Sequence, residues 1–238
     1  WHSMIHQSGM KHPRGGSGML TQALARCLRA HGGEIIVGEP VERIIVRRGR
    51  AAGVRLADGR EVGAPVVVSG AQVQVTLLRL LGEDDLPSGL RRRLRLIKVA
   101  NGFGMVIRCA TSGLPAYPAA ADDPAHRHSG LQLLCPSMAY LRRAVADYQG
   151  GLPSAAPACI VMTTSAVDGD LAPPGRHTVG IWAQYHPYAM AAGHRWADIR
   201  EREADKLIAV VDRAAPGFAA TVLDRFVQTP PDLEARFG

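Results

Sequence analysis

Two groups of residues in this sequence have the types and spacing to do chemistry: a glycine-rich loop and a pair of histidines. The loop, Pro13-Arg14-Gly15-Gly16-Ser17-Gly18, precedes a segment with the apolar spacing of a helix. Amide groups at the start of a helix bind anions, and glycine lets the backbone approach a phosphate closely. A dinucleotide-binding fingerprint would instead read G-x-G-x-x-G directly after a strand, and residues 11–14 do not have the pattern of a strand. The loop therefore predicts a tight turn or an anion contact, but no particular reaction.

The other acidic and histidine side chains do not assemble into a catalytic or metal-binding set. His126 and His128 are the closest histidine pair, but no further ligand lies at the spacing usual for a zinc site. Asp122-Asp123 and the acidic run 83–85 are typical of surface turns. The sequence also lacks a G-x-S-x-G elbow, a P-loop and an H-E-x-x-H motif. We therefore predict no metal site and assign no catalytic side chain.

The basic balance of the chain does not by itself indicate a nucleic-acid partner. Lysine and arginine number 28 against 21 acidic residues, which gives a formal charge of +7. The densest basic run, residues 91–98, is threaded by apolar residues at helical spacing, so it predicts an amphipathic helix with a charged outer face. No aromatic residues alternate with the basic ones to stack on bases. We predict no nucleic-acid partner, and leave contact with a membrane surface open.

Cysteine usage indicates a reducing compartment. Cys27, Cys109, Cys135 and Cys159 lie far apart in apolar stretches and form no C-x-x-C pair. Free, buried thiols are the usual state of such residues in a cytoplasmic protein. No run of eighteen apolar residues is present, so we predict a cytoplasmic protein without a spanning segment.

Hydrophobic periodicity divides the chain into an α/β part, residues 1–72, and an α+β part, residues 73–238. In the first part we predict a helix after the glycine-rich loop, strands at residues 34–37 and 65–68, and a β-meander between them. The second part alternates longer strands with helices, one of which begins with an expected capping box at Asp198 and Glu201. This pattern favours a mixed or antiparallel sheet with helices packed on it.

Several motifs, taken together, resemble one family over nearly the whole chain. In the first half they include Pro13-x-Gly15-Gly16-x-Gly18-x-Leu20, Glu39-Pro40-Val41-Glu42-Arg43-Ile44 and Val66-Val67-Val68-Ser69-Gly70-Ala71. In the second half they include Leu134-Cys135-Pro136-Ser137, Gln184-Tyr185-x-Pro187-Tyr188 and Ala215-Pro216-Gly217-Phe218. The motifs of the first half resemble the phytoene desaturase family, in the amine-oxidase-like group of FAD enzymes. Those of the second half resemble one branch, the pyridine nucleotide-disulfide oxidoreductase domain proteins.

The resemblance implies two domains and a flavin cofactor. Residues 1–72 would be part of a Rossmann-like FAD-binding domain, and residues 73–238 a substrate domain whose last residues return toward it. The G-x-G-x-x-G segment and the terminal glycine-rich region, which hold most of the FAD in this family, do not occur in this sequence. We therefore expect a central section of the enzyme that does not retain FAD by itself.

The family likeness also assigns cofactor contacts to a few positions. The backbone at Val41 matches the position that meets the adenine end of FAD, and Gly15 and Gly16 match a loop near the flavin. The turn Ser69-Gly70-Ala71 matches the one that passes the cofactor before the substrate domain. Each position also has a purely structural explanation, as the start of a strand, a tight turn or the end of a strand.

For the substrate domain, the resemblance implies a sheet that roofs the flavin and holds an apolar small molecule. Candidates for this wall are Met105, Ile107, Trp182, Tyr185 and Tyr188, and a role in the core is the alternative for each. Because the flavin accepts the hydride, little acid–base chemistry is needed from the protein. The implied activity is that of a FAD-dependent dehydrogenase or desaturase. A flavin-dependent isomerase of the same fold and a non-catalytic module that binds a ligand or a protein remain alternatives.

Overall fold

The computed structural model describes residues 11–99, 101–102, 104–123 and 128–237. The chain forms two compact units, residues 24–99 and residues 1–23 together with 100–238. We call the first the meander unit and the second the sheet unit. The predicted boundary between a FAD-binding part (residues 1–72) and a substrate domain (residues 73–238) is functional, and it differs from the boundaries of these compact units. It stays a prediction.

The meander unit is built around a small antiparallel sheet with the order β1-β2-β3. Its strands are β1 (Val41–Arg47), β2 (Arg50–Leu56) and β3 (Glu61–Gly63). Gly53 in β2 has a φ of +143°, and a Cβ there would lie 2.2 Å from the carbonyl oxygen of Val62. The close approach of β3 to β2 therefore requires glycine at this position. The predicted β-meander is confirmed.

Helical segments complete the meander unit. They are the carboxyl-terminal part of α1 (Gly18–Ala30), a π-helix (Val75–Leu80) and α2 (Ser88–Arg95). Leu94 is buried, and its carbonyl accepts a hydrogen bond of 2.9 Å from the Gln74 side chain. Since Arg92 and Arg93 are exposed, the prediction of an amphipathic basic helix is confirmed.

Two strands predicted in this part of the chain are not formed. Residues 34–37 and 65–68 have no strand pairing, and Val37 and Val68 are 82% and 92% exposed. Both predictions are wrong for this structure, because a strand requires a hydrogen-bonded neighbour and no described strand pairs with either segment. The run of β-branched residues at 66–68 indicated a buried strand, but residue type alone does not provide the neighbouring strand with which it would have to pair.

The sheet unit contains a five-stranded antiparallel sheet with the order β5-β6-β7-β4-β8. The strands are β4 (Gly104–Thr111), β5 (Leu131–Leu134), β6 (Cys159–Met162), β7 (His177–Gln184) and β8 (Val222–Gln228). The helices are α3 (Met138–Gln149), α4 (Trp196–Ala214), α5 (Phe218–Thr221) and α6 (Pro230–Phe237). An α+β fold with an antiparallel sheet is thus confirmed. None of the helices in the described part of the chain is both long enough and apolar enough to cross a membrane.

One face of this sheet is covered by α4. Met105 and Ile107 of β4 are fully buried in the same hydrophobic cluster as Leu207 and Val211 of α4. Burial of each such side chain contributes about 1.5–3 kcal/mol relative to exposure. The opposite face of the sheet carries the alternate residues of each strand, because successive side chains point to opposite sides.

The amino-terminal end of α4 differs from its prediction. The N-cap residue is Arg195, which makes no side-chain capping bond, and Asp198 forms a bidentate pair with its guanidinium at 2.9 and 3.0 Å. The predicted capping box at Asp198 and Glu201 is therefore wrong. The spacing of a capping box was present, but the N-cap lies three residues earlier than it indicated, at Arg195.

A histidine is buried where the chain leaves β7. His186 is inaccessible to solvent, its ring centroid lies 6.0 Å from that of Trp196, and Nδ1 lies 3.2 Å from the carbonyl oxygen of Gln184. No described residue hydrogen-bonds its Nε2. Burial lowers the pKa of His186 from 6.5 to about 4, because no carboxylate compensates the cost of charging the ring.

This burial predicts an acid-sensitive fold. Between the unfolded pKa near 6.5 and the folded value of about 4, the unfolded chain binds the His186 proton more tightly than the folded chain does. Stability due to neutral His186 is therefore complete above about pH 6.5 and is lost as the pH falls, by roughly 3 kcal/mol in all. Urea-unfolding midpoints measured from about pH 7 to about pH 4 should fall more steeply for the wild type than for His186→Gln. The exposed His194→Gln variant is the control, and equal slopes for wild type and His186→Gln would contradict the assignment.

Candidate ligand-binding site

The open face of the five-stranded sheet is set by the register of its strands. Arg108 of β4 lies directly opposite Gly180 of β7 on one side and Phe226 of β8 on the other. Two residues along β4, Val106 lies opposite Trp182 of β7. Phe226 is 57% exposed, and Arg108 is exposed as well. This face is therefore mostly apolar and carries one guanidinium near its middle.

A cavity of about 540 Å³ lies against this open face within the sheet unit. Arg108, Met162 and Gly180 line it from three neighbouring strands. The segment that precedes α1 supplies further wall residues, among them His12 and Gly16. The volume is within the range of pockets that bind small molecules.

A second cavity of about 370 Å³ adjoins the first. The two share His12, Met162 and Thr164, and the second extends to Leu131 on β5. Because wall residues are shared, the cavities form an elongated groove along the sheet. An extended molecule fits such a groove better than a compact one.

A missing side chain at Gly180 keeps the floor of the first cavity open. A Cβ built at this position would lie 3.5 Å from Cε of Met162 and 3.7 Å from Nη1 of Arg108. Its backbone needs no glycine conformation, since its φ is not positive. A larger residue would therefore fold here but would occupy space between Met162 and Arg108.

The glycine-rich loop is held by bonds within the protein. Gly15 and Gly16 have φ values of +78° and +96°, as a tight turn requires. The Gly15 amide donates to Oδ2 of Asp168 at 2.6 Å, and the Gly16 amide donates to the carbonyl of Pro13 at 3.0 Å. These two amides are therefore not available to an anion in this structure.

The predicted cofactor positions of the meander unit are also engaged in contacts within the protein. Val41 pairs with Leu56 at the start of β1. The Ser69 hydroxyl lies 2.8 Å from Oγ1 of Thr76 and accepts the Ala71 amide at 3.3 Å, while Gly70 is exposed. The polar groups of Gly15, Gly16 and Ser69 are thus already bonded within the protein.

The five predicted substrate residues are separated by the structure. Met105 and Ile107 lie on the face covered by α4 and are fully buried, so the structure favours a packing role for both. Trp182 lies on the open face of β7, where its indole crosses β4: a Cβ on Gly104 would be 2.5 Å from its Nε1. Of the five, Trp182 is the one that the strand register places on the same sheet face as Arg108.

The two tyrosines follow β7 as the chain leaves the sheet. Tyr185 has a φ of +63° and makes an edge contact with Tyr148, with ring centroids 6.2 Å apart. Tyr188 is 41% exposed, and its hydroxyl donates to Glu234. They lie beyond the end of β7, outside the strand pairings that form the open face, and their substrate role stays a prediction.

The sequence did not point to Arg108 or Gly180, although a signal was present. Strand alternation from Met105 to Cys109 puts Arg108 on the face opposite the apolar residues. The position of Gly180 opposite it depends on strand pairing, which the sequence alone does not reveal.

Ionisable groups near the sheet do not suggest covalent catalysis. Burial raises the pKa of Cys109 to about 11 and that of Cys159 to about 12, so both thiols are neutral and poor nucleophiles. Among the residues that the structure describes, no cluster of three or more His, Cys, Asp or Glu could hold a metal ion. His126, of the predicted histidine pair, lies outside the described residues.

Comparison with known proteins identifies the class. Residues 1–115 match the family of flavin containing amine oxidoreductases. The chain is 36% identical over 238 residues to the mouse "Pyridine nucleotide-disulfide oxidoreductase domain-containing protein 2", covering 97% of this chain and 41% of that protein. It is 27% identical to the carrot "Prolycopene isomerase, chloroplastic", over 94% of this chain and 34% of that protein.

Other relatives support the same class. A "Phytoene desaturase (lycopene-forming)" from Pseudescherichia vulneris is 25% identical over 100% of this chain and 46% of its own length. A solved oxidoreductase from Methanosarcina mazei shares the fold, with a TM-score of 0.59, 22% identity, and coverage of 91% of this chain and 43% of that one.

The predicted resemblance is confirmed. Residues 1–115 of the chain match the family of flavin containing amine oxidoreductases, and its fold is similar to that of the solved oxidoreductase. The chain is also similar to the phytoene desaturases, the prolycopene isomerases and, over nearly all its residues, the pyridine nucleotide-disulfide oxidoreductase domain proteins. The chain spans about two fifths of the length of the mouse relative.

Proposed function

We propose that the whole protein is a FAD-dependent dehydrogenase or desaturase that acts on an apolar substrate, and that this chain supplies a wall of the substrate site. The observation that carries the proposal is the open sheet face, where Arg108, Met162 and Gly180 line an elongated groove and Trp182 lies on the same face of β7. Met162 adds a flexible apolar side chain that can adjust to a ligand. Such a surface binds and orients an extended apolar molecule.

The residues of the site agree with a role in binding the substrate while a cofactor carries out the oxidation. A flavin, when bound, supplies the oxidation, so the protein's task is to orient the substrate and exclude water. The groove offers apolar wall and no neighbouring pair of carboxylates among its described lining residues. The proposal includes the cofactor contacts predicted at Gly15, Gly16, Val41 and residues 69–71. It also includes the predicted boundary between the FAD-binding part and the substrate domain after residue 72.

A flavin-dependent isomerase is the second candidate function. It is favoured by relatives named prolycopene isomerases, one of which, from Arabidopsis thaliana, is 42% identical over 82 residues. Such an enzyme would use the same groove for a substrate that is rearranged without net oxidation. Product analysis with the whole protein separates the two reactions.

The proposal predicts that the 238-residue chain purifies without flavin. The amides of Gly15 and Gly16 and the hydroxyl of Ser69 are bonded internally, so they offer FAD little compensation for its lost hydration. The measurement is the visible absorbance of the purified chain after incubation with excess FAD and gel filtration. A flavin band in stoichiometric amount would contradict this part of the proposal and leave the apolar wall untouched.

The proposal also predicts that the chain binds an uncharged apolar probe. Dodecanol should change the fluorescence of Trp182, a signal assigned by its loss in Trp182→Phe. Gly180→Val should weaken binding by about tenfold or more, because its side chain would occupy the floor between Met162 and Arg108.

Gly113→Val is the matched control for this experiment. Gly113 lies in the sheet unit, its φ is not positive, and it lines neither cavity. The control should bind dodecanol like the wild type. No binding by the wild type, or equal binding by Gly180→Val, would refute the substrate wall.

A further inference from the structure

The position of Arg108 sets it apart from the other basic residues of the sheet unit. Its strand is second from the edge, and its direct cross-strand neighbours on the open face are Gly180 and Phe226. Along its own strand, Val106 and Ala110 are the next residues on that face. A guanidinium is thus held on an apolar surface where no neighbouring strand offers it a directly opposed acid.

The described residues leave Arg108 without an ion pair. By contrast, Arg225, on the helix-covered side of the same sheet, pairs with Glu201 at 2.7 Å and with Asp205 at 2.5 Å. Asp224 faces the same side as Arg108 and lies diagonal to it, opposite Ala110. Its carboxylate accepts the Arg225 amide at 2.8 Å and makes no ion pair with Arg108. The one nearby acid therefore does not neutralise this guanidinium.

The cavity that Arg108 lines contains no acidic wall residue among those described. Its other ionisable side chain with a basic character is His12. Because Gly180 has no side chain, the guanidinium reaches over β7 beside Met162. The first part of the groove thus offers a positive fork. The shared wall at Met162 and Thr164 continues toward apolar Leu131 in the second part, which Lys11 and His128 also line.

We propose that the substrate of this site is an extended apolar molecule with an acidic head group, a carboxylate or a phosphate, which Arg108 binds. The inference rests on the proposed apolar wall and adds an acidic head group to the substrate proposed there. A planar guanidinium matches both oxyanions with two parallel hydrogen bonds, and these are stronger than neutral ones. The chain of the molecule would lie along Gly180 and Met162, with the head group at Arg108.

The test compares three probes of equal chain length on the 238-residue chain: dodecanoate, dodecyl phosphate and dodecanol, each followed by Trp182 fluorescence below its micelle concentration. Wild type should bind at least one acidic probe about tenfold more tightly than dodecanol, the effect of one charge-assisted hydrogen-bonding pair. Arg108→Gln should remove this preference by weakening the binding of the acidic probe more than the binding of dodecanol. The acid with the larger loss identifies the head group.

Arg143→Gln is the matched control, since Arg143 is exposed on α3, lines neither cavity and carries the same charge. It should keep the preference for the acid. Equal affinities of wild type for the acids and dodecanol, or a preference that survives in Arg108→Gln, would overturn the inference while the apolar wall stands. Failure of all three probes to bind would refute both the wall and the inference. Unchanged thermal unfolding of Arg108→Gln confirms that the variant is folded.

Discussion

The whole arrangement depends on the packing of one helix against one face of the five-stranded sheet. Residues such as Ile107 on β4 and Leu207 on α4 are fully buried in a single hydrophobic cluster. Arg225 reinforces this contact by reaching across to Glu201 and Asp205. Because strand side chains alternate, fixing one face inward fixes every other residue of the same strands outward. The open face and its groove are a consequence of that packing.

This constraint explains why chemistry-bearing residues were hard to find by type. Trp182 and Arg108 belong to different strands, separated by many residues, and only strand pairing brings them to one surface. Gly180 contributes because it has no side chain, which leaves space between Met162 and Arg108. The site is therefore a shaped surface with one charge rather than a set of acids, bases or nucleophiles. Such a surface suits a protein whose cofactor carries the reaction.

Much of the fold could be predicted from local patterns. Residues 177–184 alternate in polarity and form β7, and Asp58-Gly59 lies in the turn between β2 and β3. Ser137 caps α3 by accepting a hydrogen bond from the Tyr140 amide. The predictions at Val68 and Asp198 failed because burial and helix starts depend on neighbours that the local pattern does not contain. Of the predicted substrate residues, Trp182 does lie on the open face. Met105 belongs to the core instead, and this could be recognised only once the position of α4 was known.

The most direct test of this account is to map where an apolar ligand binds. A dodecanoate analogue with a diazirine near its methyl end, photolysed on the 238-residue chain, should label peptides of β5 to β7, including Met162 or Leu131. Met162 lines both parts of the groove, and Leu131 lines the part that Arg108 does not line. Labelling confined to the meander unit or to α4 would contradict the claim that the open sheet face is the ligand surface.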